Sequence, residues 1–308
     1  MRDLQSRKPG TQATLMGVIS AVLHQTGIFL AFFAVPAQYI AVKRGLQYYV
    51  NAVMISLGVI ALWKGFQIMS TSVPYGDSVL IMLDLFLPAA VFLGLGVLNF
   101  AGRERIKPEW IRISLGSLVA VVGVLPLLVY AQQSAFFAAV IEVQYEFYQQ
   151  QGILQQTTQQ DLMTQLMAVL FRGVGGMITA LLSISYYFGS SLAGDRTRLQ
   201  RLSLPRFTLA AAGICIILIL VGTAGVIDVI AWNLAAIVFI LYALVGMAVI
   251  SRYLAQRFPG GQGRYLVLAA LLIIIFVPLV NIVVLLCLPV AGIAETVFGI
   301  RERYWNKE

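Results

Sequence analysis

A chain of 308 residues that is 60% hydrophobic and 11% charged, with a mean hydropathy of +0.88, cannot be an ordinary soluble domain, because soluble domains carry about 25% charged residues. The net charge of +8 is gathered in short basic clusters between apolar runs, which is orientation signal for a bilayer and argues against nucleic acid as a partner. Cys215 and Cys287 each lie inside an apolar run and there is one histidine, so neither a disulfide framework nor a metal site is expected.

Arg2, Arg7 and Lys8 precede an apolar run from Ala13 to Ala37. That run is too long for a secretory signal and is interrupted by His24-Gln25, so the segment is expected to be retained. A transmembrane helix needs about 20 apolar residues. Thr11–Val42 has basic clusters at both ends, which demands an even number of crossings. It reads as two short helices turning near Gln25-Thr26-Gly27, with Pro36 distorting the returning one. Further spans are expected at Leu46–Lys64, Ser78–Phe100, Glu109–Ala131, Ala168–Leu192, Thr208–Ile227 and Val229–Ile250. Tyr265–Ile300 is long enough for about 54 Å of helix, and Pro278, Asn281 and Pro289 divide it into two short crossings or a re-entrant pair. The expected fold is all-α: a polytopic membrane helical bundle of eight to ten segments with both termini cytoplasmic.

Residues 132–167 interrupt the apolar pattern. They hold Gln149, Gln150, Gln151, Gln155, Gln156, Gln159 and Gln160, with Glu142, Glu146 and Asp161 and no basic residue. A polar stretch free of Lys and Arg between spans belongs outside. Phe137, Val140, Ile141, Tyr145 and Tyr148 recur at helical spacing. Gln151-Gly152 breaks the pattern, Thr158 and Asp161 form a capping-box spacing, and Leu162, Leu166 and Leu170 resume the stripe. An outward helical hairpin results. The chain then divides into a six-helix half over 1–192, a basic cytoplasmic loop over 193–207, and C-terminal membrane helices with a basic tail over 208–308.

Two stretches resemble known families. Phe32-Phe33-Ala34-Val35-Pro36-Ala37-Gln38-Tyr39-Ile40-Ala41-Val42-Lys43-Arg44-Gly45 resembles the second helix of the substrate-binding S subunits of energy-coupling-factor vitamin transporters. There, a proline-bearing apolar helix ends in a basic-Gly turn. Gly292-Ile293-Ala294-Glu295-Thr296-Val297-Phe298-Gly299-Ile300-Arg301-Glu302-Arg303-Tyr304 resembles the C-terminal region of the YybS-like family of bacterial membrane proteins. That family is thought to join an S-subunit-like half to extra C-terminal helices. This chain departs from its commoner pattern at Glu295, where Asp is usual, and at Gly299, where a second acidic residue often stands. The resemblance implies a small-molecule pocket near the outer surface, with a coupling membrane subunit and ATPases as partners.

Ionisable groups inside apolar helices are costly and mark candidate sites. His24, Gln25, Tyr75, Asp84, Gln132 and Arg172 are the candidate ligand-binding residues, with Asp77 nearby. The structural alternatives are an Asp84–Arg172 ion pair between helices, a hydrogen-bonded packing role for His24, and snorkelling by Arg172 to headgroups. Asp228 is expected to cap a helix, and Glu295 to pair with a cytoplasmic arginine. Tyr145 and Tyr148 are candidate partner-docking residues. Gly116-x-x-x-Ala120 and Gly176-x-x-x-Ala180 are spacings for close helix approach. Gly173-Val174-Gly175-Gly176 lacks the strand and lysine of a phosphate loop.

No metalloprotease, serine-hydrolase or ATP-binding motif is present, so an enzyme is not expected and no cofactor is implied. The expected function is small-molecule binding or transport in a bacterial inner membrane. The alternatives are a scaffold docking partners through the hairpin and cytoplasmic loops, or a lipid-handling protein using Arg172 and the hairpin.

Overall fold

The computed structural model describes residues 8–27, 29–71, 84–100, 108–151, 158–195, 197–222, 225–258 and 278–305. Eleven helices occur among them, with no strand: α1 Pro9–Gln25, α2 Val35–Arg44, α3 Leu46–Thr71, α4 Phe86–Phe100, α5 Glu109–Gln133, α6 Ala135–Gln150, α7 Gln159–Leu192, α8 Phe207–Leu220, α9 Val226–Arg257, α10 Pro278–Phe298 and α11 Ile300–Trp305. Among the described residues, four helices are long and apolar enough to cross a membrane: Leu46–Ser70, Glu109–Ala131, Gln159–Leu192 and Val226–Arg257. In α3, Met54, Leu62, Trp63, Phe66 and Met69 are all exposed. A helix packed in water keeps such residues on one inward face; these point away from the protein, as lipid contact requires. The chain is a helical bundle of membrane type.

Its contacts divide it into two compact units, residues 1–107 with 112–193, and 108–111 with 194–308. In the first, α1 runs along α3. Gly17 makes this possible, since a Cβ there would lie 2.5 Å from the Ala52 carbonyl oxygen. α2 packs against α1, α3 and α7. Gly94 of α4 and Gly116 of α5 face each other so closely that a Cβ on either would fall within 2.7 Å of the other's carbonyl oxygen, which realises the small-residue approach expected at Gly116. α6 lies on α7. In the second unit α8 and α10 both pack on α9.

Several expected boundaries move, for local reasons. α1 stops at Gln25, with Thr26 capping it, and Leu30–Phe32 form a 3₁₀ turn. Pro36 occupies the first turn of α2 instead of distorting a longer helix; the missing N–H costs nothing there. At 10 residues, or about 15 Å, α2 reaches only half-way through a hydrocarbon core of about 30 Å. The span expected at Ser78–Phe100 contains α4, and residues 78–83 lie outside the described residues.

The span expected at Thr208–Ile227 ends early, at Leu220. Gly222 and Gly225 have φ of 70° and 68°, a left-handed geometry that ends a helix. Val226 and Ile227 therefore begin α9, and Gly225 is its N-cap; Asp228 sits in the first turn instead of capping, where its charge still suits the helix dipole. Pro289 lies inside α10 without ending it. Residues 265–277 lie outside the described residues. Cys215 is buried and Cys287 exposed, and both are free.

The arms expected on either side of Gln151-Gly152 are helices α6 and α7, and residues 152–157 lie outside the described residues. Ser134 breaks the chain between α5 and α6, its hydroxyl donating to the Ala131 carbonyl at 3.2 Å. At the other arm the Asp161 amide donates to Thr158 Oγ1 at 3.1 Å, and the Thr158 amide donates to Asp161 Oδ2 at 3.2 Å. That reciprocal pair is the capping box. α7 then runs unbroken for 34 residues, so the span expected from Ala168 is continuous with the second arm of the hairpin.

Candidate functional site

The crossing at Gly17 sets the register of α1 against α3 and with it the surroundings of His24. Ser20 and His24 stand four residues apart on one face of α1, and both are buried. His24 meets Phe33 edge-on, with ring centroids 5.3 Å apart at 74°, and Phe33 in turn meets Phe92 at 5.4 Å. On α3, Lys64 Nζ lies 2.9 Å from Asp84 Oδ2, with the carboxylate the more open of the two. The charges of Asp84 and Lys64 both act on the His24 ring.

The polar inventory of this region is incomplete. His24 Nδ1, Gln25 Nε2 and Ser20 Oγ, all in the last two turns of α1, are buried and without a hydrogen-bond partner, as are Ser56 Oγ on α3, Ser117 Oγ on α5 and Ser183 Oγ on α7. Burying such an atom unpaired costs about 1–3 kcal/mol. Most buried polar groups in folded proteins are paired, so three exceptions within six residues at the end of α1 are informative. His24 can donate or accept, Gln25 Nε2 donates, the hydroxyls do either, and the Lys64–Asp84 pair adds one charge of each sign. Together they suit a small polar molecule set against an aromatic wall.

The structure thus brings His24, Gln25 and Asp84 of the expected residues to one end of the first unit. It corrects the ion pair: Asp84 joins Lys64 of α3, not Arg172. Lys64, the last residue of the expected span, lies inside α3, which continues seven residues further to Thr71. Arg172 is half-buried on α7, and Gln132 stands in the last turn of α5. Tyr75 and Asp77 lie outside the described residues. Tyr145 accepts a hydrogen bond from Gln149 Nε2 at 2.9 Å, and Tyr148 stacks edge-on with Phe147.

Sequence reasoning missed a second polar cluster in this unit. Gln38 Nε2 donates to Asn99 Oδ1 at 3.0 Å and to Ser190 Oγ at 3.1 Å, while Asn99 Nδ2 donates back to Gln38 Oε1 at 2.6 Å and to the Leu95 carbonyl at 2.8 Å. All three side chains are buried. The two amides are mutually satisfied and tie α2, α4 and α7 together. The available signal was the isolation of Gln38 and Asn99 among apolar neighbours.

In the second unit, Glu295 pairs with Arg301 as expected. Arg301 Nε lies 2.6 Å from Glu295 Oε1, its amide donates to Oε2 at 3.0 Å, and its two terminal nitrogens donate to the Gln200 and Leu202 carbonyls at 2.7 and 2.8 Å. Both side chains are buried, so the pair is charge-neutral and well bonded, the condition under which a buried ion pair is tolerated.

No protein-family model, curated protein or solved structure matches the chain.

Proposed function

We propose that this chain is a multi-pass protein of the bacterial cytoplasmic membrane that binds a small polar molecule at the His24 cluster as a step in its transport. The observation that carries this reading is the set of buried, unpartnered atoms of Ser20, His24 and Gln25 at the end of α1, together with the Lys64–Asp84 ion pair, whose carboxylate is part-exposed. A ligand that pairs those atoms recovers the desolvation cost they now carry. The basic clusters put the termini in the cytoplasm, so the His24 end of α1 faces outward. The likeness of residues 32–45 to S subunits supports capture from outside. It also supports a coupling subunit and ATPases as the source of energy, since the chain has no ATP-binding motif of its own.

The test is gentle detergent extraction of the tagged chain, with mass spectrometry of bound small molecules and partner proteins. The wild-type chain should carry a stoichiometric polar metabolite, and Asp84→Asn should lose about nine-tenths of it at an unchanged melting temperature. Retention of that metabolite by Asp84→Asn would sink the reading. A second reading, a scaffold that docks partners through the hairpin, is favoured by Val143 and Phe147, which stand exposed on α6. It predicts that deleting 144–160 strips co-purifying proteins while no metabolite is ever found.

A further inference from the structure

Around the Glu295–Arg301 pair the second unit holds a cavity of about 390 Å³, lined by Ser203, Arg206, Glu295, Thr296, Arg301 and Arg303 among others. Pockets of this size take small ligands or headgroups. Three guanidinium groups line it against a single carboxylate, and that carboxylate is consumed by Arg301. Arg301 also spends its remaining donors on the Gln200 and Leu202 carbonyls. Its role is to hold the walls. Among the described residues, the charge left without a carboxylate belongs to Arg206 and Arg303, both exposed.

Arg206 is positioned by one bond, from Nη2 to the Val297 carbonyl at 3.4 Å, which leaves further guanidinium donors for a ligand. Thr296 donates its hydroxyl to the Gly292 carbonyl at 2.9 Å, so its oxygen offers lone pairs and no proton. Ser203 lines the cavity and is exposed, and its hydroxyl can donate. The donors that face the space are thus two fork-shaped cations and a hydroxyl. That set matches a phosphate group, which guanidinium binds through paired N–H donors. Such a group is carried by anionic lipid headgroups and by free phosphoesters alike.

We propose that this cavity is a phosphate-binding site, with Arg206 and Arg303 as its ligands and the Arg301–Glu295 pair as its frame. The site is independent of the His24 cluster and lies on other helices.

The purified full-length chain is to be titrated with three probes: dioctanoyl phosphatidylglycerol, glycerol phosphate, and zwitterionic dioctanoyl phosphatidylcholine. Hydrogen exchange of residues 203–206 and 295–303 is the readout. Phosphatidylglycerol should slow exchange there, phosphatidylcholine should not, and the double variant Arg206→Gln, Arg303→Gln should weaken the effect by about tenfold or more. Protection by glycerol phosphate as well identifies the phosphate group itself as sufficient; protection by phosphatidylglycerol alone identifies a lipid as the source. Equal protection by phosphatidylcholine, or an undiminished effect in the double variant, overturns the proposal. Should the double variant not fold, absence of protection in the wild-type chain by both anionic probes overturns it equally.

Discussion

At the residue scale the Gln38–Asn99 pair shows what a membrane core asks of a polar side chain. Each amide is buried, and each uses both its oxygen and its nitrogen on the other. Removing one partner strands the second, so Asn99→Ala should cost about 2–4 kcal/mol, the loss of charge-free hydrogen bonds plus an unsatisfied Gln38. Gln38→Leu combined with Asn99→Leu should recover a large part of that loss, because no polar atom is then left unpaired. Denaturant or thermal unfolding of the three variants in detergent checks this; equal loss in single and double variants would mean the amides act independently. The pair was only half legible in the sequence. Two amides in apolar runs are visible by inspection, but 61 positions separate them, and nothing local says they meet. The same limit applied to Asp84. Its charge announced a partner, and Arg172 was the expected one; the 20 positions between Lys64 and Asp84 carry no local signal that those two meet.

At the scale of elements, backbone proximity decides. α9 and α10 cross so tightly that a Cβ on Gly246 would lie 2.1 Å from the Leu288 carbonyl oxygen, and one on Gly292 would lie 2.0 Å from that of Tyr242. A carbonyl oxygen on a helix cannot swing aside as a side chain does. Gly246→Ala should therefore push the helices apart and destabilise the second unit by about 1–3 kcal/mol, the usual cost of overpacking. Gly173 has open space where its Cβ would go, so Gly173→Ala should stabilise by up to about 1 kcal/mol through helix propensity. Melting curves of the two variants should move in opposite directions. α5 was readable to within two residues, whereas α9 starts three residues earlier and ends seven residues later than its apolar run. The end of α8 was not readable, because hydropathy is blind to the backbone reversal at Gly222 and Gly225, where conformation and not polarity ends the helix.

At the scale of the whole molecule, the proposed orientation makes the polar hairpin external and the basic segment after α7 internal. In a background of Cys215→Ser and Cys287→Ser, a cysteine at Gln149 should react with a membrane-impermeant maleimide in intact cells. A cysteine at Thr197 should react only after permeabilisation. The reverse pattern would turn the His24 cluster toward the cytoplasm and remove the case for capture from outside.

The uninterrupted length of α7 has a mechanical consequence. Its 34 residues make a rod of about 51 Å, some 20 Å longer than a hydrocarbon core. The capping box holds one end, and Ser190, close to the other, accepts from Gln38. With no break between them, a tilt imposed at the hairpin is delivered to the amide lock as leverage instead of being absorbed at a hinge. An event that pivots the hairpin would thus be felt at the opposite end of the same helix.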